Sequence, residues 1–309
     1  MRLIATLCLL AIAVPAATAA PLRTVSAPAA VTALALEGRL VAFASGRSSD
    51  DCDRIRIWNL KTRAVTALGR STSCERTSTG TGVASLALAG TRVVWLHYTG
   101  GNIREWTLWT ASTTKRMPVR LRAVARDVDA VAPIVVGNGE SSNDGGMLPY
   151  AVDSEVVVLR ADGARRFTWS APRRVVGLSA ARGELAVALE GGEVTILDAE
   201  GSVRRRESFG SEIEAIRFTG NGLFVLRGAV LELRDGSVRQ EWAVSRAAEL
   251  LDAIGSGAIY ERRGSIRSVS TSPFVDRELG RGSFAQAEGT ELAVANGRVV
   301  SVRRFPPVS

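Results

Sequence analysis

Histidine is almost missing: His97 is the single one among 309 residues. This excludes every catalytic or metal motif that needs two histidines, and leaves a zinc triad or a Ser-His-Asp triad only through His97, with nothing local to support either. Lysine occurs only at Lys61 and Lys115, so arginine carries the basic excess of 39 Lys+Arg over 31 Asp+Glu. A net charge of +8 favours solubility and weak attraction to anionic surfaces without implying nucleic-acid binding. Aromatic residues make up only 6%. The chain has no G-x-S-x-G nucleophile elbow and no N-x-S/T sequon. Its glycine pairs, such as Gly80/Gly82 and Gly137/Gly139, lack the third glycine of a dinucleotide site. No cofactor is implied.

What is present is 46% apolar residues, 30 glycines and 10 prolines. A chain of this length can bury a large core, and its turn residues and β-branched runs point to short strands. The N-terminus reads as a signal peptide over residues 1–19. Arg2 is the positive region, Leu3 to Val14 the short apolar core, and Ala17-Thr18-Ala19 the small-x-small cleavage pattern. The core is too short for a stable anchor, and no later stretch approaches the roughly 18 apolar residues of a membrane-spanning helix. The expectation is a secreted or periplasmic protein with one domain over 20–309. Cys8 leaves with the leader, and Cys52 and Cys74 then form an even pair in an oxidising compartment, most simply a disulfide.

A hairpin recurs along the chain: an apolar strand, a tight turn, then an arginine-rich strand. Copies begin near Ile55, Glu105, Glu155, Glu193, Ala229, Ser265 and Arg298. A second pair of apolar segments precedes each hairpin. Four short strands at a period of about 40 residues are the mark of a β-propeller. The expected fold is all-β, with seven four-stranded blades and six as the alternative. Strands are named a to d from the inside outward. The last unit supplies only three strands, so the segment Leu22 to Ala27 is expected to serve as its strand d and close the ring, removing exposed sheet edges. Ala247 to Ile254 is the least regular segment, readable as a short helix or as strand a of blade six.

The hairpin from Ile55 to Thr66 resembles a WD-repeat blade, with Trp58-Asn59 where that family places Trp-Asp. Leu197-Asp198 with Gly201 resembles the corresponding turn of quinoprotein-like and periplasmic TolB-like propellers. The resemblance implies a propeller over nearly all of the mature chain. The Gly-His pair of WD repeats is absent, and with it that family's His-to-Asp network. The aromatic docking motif repeated in quinoprotein-type blades is absent too. The resemblance therefore concerns architecture, and fold alone does not transmit function.

In a propeller, b–c and d–a connections share one face and a–b and c–d turns the other. Long segments at Gly46–Arg54, Tyr98–Arg104 and Gly137–Ser154 are read as b–c loops of blades one to three, and Gly69–Gly82 as the d–a loop after blade one. All four are expected on one face, which then becomes the binding face. Its candidate residues are Asp50, Asp51, Asp53, Arg54, Glu75, Arg76, His97, Tyr98, Asn102, Arg104, Glu140, Asn143, Asp144 and Tyr150. A Cys52–Cys74 bridge would staple two of these loops. Asp51-Cys52-Asp53 lacks the following glycine and distal Glu of a calcium loop, so no metal is expected there. His97 is read first as a structural histidine.

The leading expectation is a module that binds another exported or envelope protein through that face. One alternative is a hydrolase or lactonase-type propeller enzyme holding a metal in the channel, with Asp127, Asp129, Glu214 and Asp252 as possible inner-strand carboxylates. Another is a binder of anionic envelope polymer or lipid, through Arg165-Arg166, Arg173-Arg174, Arg204-Arg205-Arg206 and Arg239 on the outer rim. Aromatics are sparse among those arginines, so nucleic acid is not expected.

Overall fold

The computed structural model describes residues 22–46, 55–68, 80–115, 117–220, 222–255, 257–271 and 274–305. Strand β1 (Arg23–Ser26) comes first. Six groups of four follow. Blade one is β2 (Val31–Glu37), β3 (Leu40–Ser45), β4 (Ile55–Asn59) and β5 (Val65–Leu68). Blade two is β6 (Thr81–Ala89), β7 (Arg92–Gly100), β8 (Ile103–Ser112) and β9 (Val119–Asp127). Blade three is β10 (Ile134–Val136), β11 (Leu148–Val152), β12 (Glu155–Leu159) and β13 (Arg165–Ser170). Blade four is β14 (Val175–Ala181), β15 (Glu184–Leu189), β16 (Glu193–Leu197) and β17 (Val203–Ser208). Blade five is β18 (Ala215–Phe218), β19 (Leu223–Arg227), β20 (Val230–Asp235) and β21 (Val238–Ala243). Blade six is β22 (Ala248–Ile254), β23 (Gly257–Arg262), β24 (Ser265–Thr271) and β25 (Phe274–Arg281). Blade seven is β26 (Phe284–Glu288), β27 (Glu291–Asn296) and β28 (Val299–Arg304), completed by β1.

All seven sheets are antiparallel meanders, and the last runs β1-β28-β27-β26. Arg23 to Ser26 pair with Val302 to Val299, and Arg23 adds an ion pair to Glu291. The first strand in sequence is therefore the outermost strand of the last blade. Each inner strand packs beside the next, from β2 through β6, β10, β14, β18, β22 and β26 back to β2. Ala247 to Ile254 resolves as a strand: Ala248 to Ile254 is β22, paired antiparallel with β23, with a register shift between Leu250 and Asp252.

The apolar core is divided among the joints. Seven buried clusters each join two neighbouring blades, and one of them packs Val300 and Val302 of blade seven against Phe43 and Trp58 of blade one. A middle strand is covered on both faces, so it reads as an unbroken apolar run; β11 and β15 are buried along nearly their whole length. Outer strands have no neighbour beyond them and carry charge, as in the exposed β17, VRRRES. The residues that suggested known repeat families act here as turn formers. Asn59 Oδ1 accepts the Lys61 and Thr62 amides at 2.9 and 3.0 Å, and Asp198 Oδ1 accepts the Glu200 and Ser202 amides at 3.1 and 2.8 Å. Among the described residues no helix is long and apolar enough to cross a membrane.

Candidate functional site

Small residues on the inner strands keep the axis of the ring open. A cavity of about 240 Å³ lies there, with Leu34, Ser85, Asn138, Arg217, Glu249 and Gln286 in its wall, drawn from six of the seven blades. Polar side chains on inner strands reach sideways to the next blade. The Asn138 amide donates to Ala180 O (2.9 Å) and accepts from Ala180 N (3.2 Å), imitating a ladder step from blade three to four. Ser179 Oγ, fully buried, accepts from Phe218 N at 2.8 Å. Arg217 Nε donates to Leu251 O at 2.7 Å, Asp252 Oδ2 accepts from Ala287 N at 2.7 Å, and Gln286 Oε1 accepts from Leu36 N at 2.6 Å. Glu288 then accepts from Gly38 N. These contacts satisfy the inner-strand amides that a four-stranded blade leaves open.

Two carboxyls in this chain of contacts are pushed well up. Burial raises Glu37 to about 7, and Glu288 adds to the effect, while hydrogen bonds from Gly90 and Ser141 oppose it. Burial likewise raises Asp252 to about 6, against the opposing charge of Arg217. Of the four carboxylates considered for the channel, only Asp252 sits on an inner strand. Asp127 ends the outer strand β9, Asp129 lies in the exposed turn beyond it, and Glu214 is exposed just before β18, accepting from Gly228 N at 2.9 Å. Among the described residues no group of three or more His, Cys, Asp or Glu is arranged to hold a metal ion.

The expected binding face divides. Asp50, Asp51, Cys52, Asp53, Arg54, Cys74, Glu75 and Arg76 lie outside the described residues, as does the leader segment. Tyr98–Arg104 is not a long loop: β7 and β8 extend through it, Gly100 pairs with Arg104, and the turn is tight. Gly100, at φ +120°, makes that turn, since a Cβ there would strike the Ile103 carbonyl. Gly137–Ser154 is not a b–c loop at all. Leu148–Val152 forms strand b, buried at all five positions, so the insertion 137–147 connects strands a and b and belongs to the opposite face. Pro149 lies within this strand. The ladder accommodates it because β10 stops at Val136: Gly137 N donates to Pro149 O (3.0 Å), and no donor is needed in return.

Of the candidate residues in described segments, His97, Tyr98, Asn102 and Arg104 gather on the blade-two hairpin. His97 Nε2 sits 3.0 Å from Thr81 Oγ1. The Arg104 guanidinium lies 4.5 Å over the Tyr98 ring and 5.4 Å from the Trp106 ring, and the two rings are 5.5 Å apart. Asn102 is exposed and its carbonyl accepts from Val128 N at 3.0 Å. Tyr150 is core, packed between blades two and three. Glu140 accepts from Gly183 N at 3.0 Å and ties the insertion to blade four, with Asn143 and Asp144 exposed at its tip. Sequence reading missed the apolar company of the blade-two hairpin. Ile103, Val128 and Val131 are exposed by 62%, 39% and 67%. Arg126 beside them pairs with Asp153 of blade three at 3.1 Å.

The outer-rim arginines are extensively engaged. Arg204 pairs with Asp198, Arg205 with Glu207, Arg206 and Arg173 with Glu193, and Arg239 with Glu232 and Glu241, while Arg166 Nε donates to Ala199 O.

No protein-family model matches the chain, and no curated protein does either. Solved structures do. A chain of the mitotic checkpoint complex superimposes with a TM-score of 0.59 at 17% identity, covering 99% of both chains. BamB from Moraxella catarrhalis gives 0.54 at 12% identity, over 89% of this chain and 85% of that one. The designed protein Ika8 gives 0.51 at 14% identity, over 91% and 98%. The fold is a seven-bladed β-propeller. Identities this low carry the fold and nothing further.

Proposed function

We propose that this propeller is an exported protein-binding module that docks its partner on the face of the b–c and d–a connections, centred on the extended hairpin of blade two. One observation carries the reading. At the end of blade two that carries the Tyr98–Arg104–Trp106 stack, three aliphatic residues are exposed: Ile103 at the start of β8, and Val128 and Val131 just past the end of β9. Exposed apolar groups at the same blade end as aromatic and arginine anchors have the composition of an interface hot spot. The stack is already formed, so binding has little side-chain ordering to overcome. Export rests on the Arg2, Leu3–Val14 and Ala17-Thr18-Ala19 pattern. The partner is then another exported or envelope protein. The ion pairing of the rim arginines disfavours the anionic-surface alternative.

The test is a pull-down from the native envelope and secreted fractions at low and high salt, with residues 20–309 as bait. The expected result is a stoichiometric partner retained at high salt by the wild type. It is lost with Ile103→Asp/Val131→Asp, whose thermal midpoint stays within a few degrees of wild type. A partner held equally by that variant and by Arg104→Ala would overturn the assignment. Recovery at low salt alone would transfer the function to the arginine rim.

A further inference from the structure

We propose that the central channel is a binding site for a small oxyanion, a carboxylate or a phosphate, with Arg217 as its anchor. The starting point is a cation in the channel wall. Arg217 lies on inner strand β18, half-buried, in the wall of the axial cavity. Its guanidinium donates through Nε to Leu251 O and through Nη1 to Ile216 O, both at 2.7 Å. Both acceptors are neutral carbonyls. Among the described residues no carboxylate comes within 4.0 Å of it, whereas Arg204, Arg205, Arg206 and Arg239 on the rim each have a carboxylate partner within that distance. Asp252 acts on Arg217 only through space, and its Oδ2 is committed to Ala287 N. An arginine stays protonated even where burial works against its charge, so a half-buried guanidinium with no contact anion calls for one.

The two carbonyl bonds hold the guanidinium in place and leave one N–H of Nη1 and both of Nη2. That is the end-on fork which takes two oxygens of a carboxylate or phosphate. Further donors share the wall. Gln286 Oε1 is occupied by Leu36 N, which assigns the other end of the amide as an NH2 donor. Ser85 adds a hydroxyl. Asn138 is fixed by both its bonds to Ala180, so the wall is formed before any ligand arrives. Glu249 is the other charged group in the wall and is exposed. A single carboxylate opposing a single guanidinium disfavours polyanionic ligands such as polyphosphates. A cavity of about 240 Å³ holds a molecule of a few to a dozen heavy atoms. The site is separate from the blade-two surface and stands whether or not that surface binds protein.

The experiment uses the mature chain, with inorganic phosphate and acetate as probes. Each is titrated by calorimetry and by thermal shift, with ionic strength held constant using chloride. The expected result is saturable binding of at least one probe. Arg217→Gln should weaken it by about tenfold or more, the loss of one or two charge-assisted hydrogen bonds. Arg204→Gln/Arg205→Gln/Arg206→Gln should leave it unchanged, and Glu249→Gln should tighten it. Phosphate and acetate together identify which oxyanion the channel prefers. Absence of saturable binding by both probes would overturn the proposal. Equal binding by wild type and Arg217→Gln would also overturn it, as general salt stabilisation. If Arg217→Gln does not fold, Glu249→Gln decides: unchanged affinity places the anion outside the channel.

Discussion

Removing the carboxylate of Glu232 tests most directly how neighbouring blades are held together. Glu232 lies on β20, is fully buried, and receives three guanidiniums. Arg227 donates to it, Arg234 Nε lies at 2.8 Å, and Arg239 Nε lies at 3.0 Å. The cluster clamps blade five to the exit of blade four. Arg234 stacks 3.7 Å from the Phe209 ring centroid and donates to Ser208 O at 2.8 Å, while Arg227 donates to Phe209 O at 3.0 Å. In Glu232→Ala the side chains of Arg227 and Arg234, only 16% and 19% exposed, lose their shared counter-charge. Breaking a buried pair from one side costs about 3–5 kcal/mol. The lower end applies here, because Arg239 is 60% exposed and Glu207 and Glu241 remain 3.7 Å from Arg234 and Arg227. The expected loss is therefore about 3 kcal/mol, and Glu232→Gln, which keeps an acceptor, should lose about 1–2 kcal/mol. Equilibrium urea unfolding at pH 7 reads both as a lower midpoint at unchanged slope. Glu232→Leu combined with Arg227→Leu should recover part of the loss. A Glu232→Ala loss below about 1 kcal/mol, or a double variant no better than the single, would refute the reasoning.

Stability should fall as pH rises from about 4 to about 7. Glu37 and Asp252 are raised to about 7 and about 6, so between their unfolded and folded pKa values the native state holds more protons than the unfolded chain. The effect is on the order of 3 kcal/mol per group, and Glu37→Gln should flatten the urea-midpoint profile between pH 5 and pH 8. An unchanged profile in that variant would place the titration elsewhere. Gly139→Ala should cost about 2–3 kcal/mol, because the added Cβ collides with the Leu88 carbonyl at the joint of blades two and three; full retention of the thermal midpoint would contradict that contact. Deleting residues 20–27 removes β1 and bares the edge of β28. Size-exclusion chromatography should then show self-association and a lowered thermal midpoint, and a stable monomer would argue against the importance of that closure.

Much of the architecture was legible along the chain. The c–d hairpins begin where the apolar-turn-arginine pattern placed them, because a strand covered on both faces must be apolar and an edge strand must not be. The spare N-terminal segment found its place as β1 by counting strands. The error at Gly137–Ser154 shows the limit. Glycine, asparagine and proline mark a loop by local preference, yet Leu148–Val152 is strand b because burial on both sides outweighs one missing donor at Pro149. That single reassignment moves Glu140, Asn143 and Asp144 to the other face. The surface residues at blade two follow the same rule: Ile103, Val128 and Val131 look like any other aliphatic residues until the folded blade leaves them exposed.

The sequence by itself determined the repeat, most of the tight turns and the charge on most outer strands, since each is set by contacts within one hairpin or by its degree of burial; that the blades number seven was settled only when the strands were seen paired. Only the tertiary structure decided which groups meet across blades. Glu232 with its three arginines, Asn138 against Ala180, and Arg217 in an axial cavity all depend on joints between different repeats. No periodicity within one repeat encodes them, because what they satisfy is the electrostatics and hydrogen bonding of a neighbour.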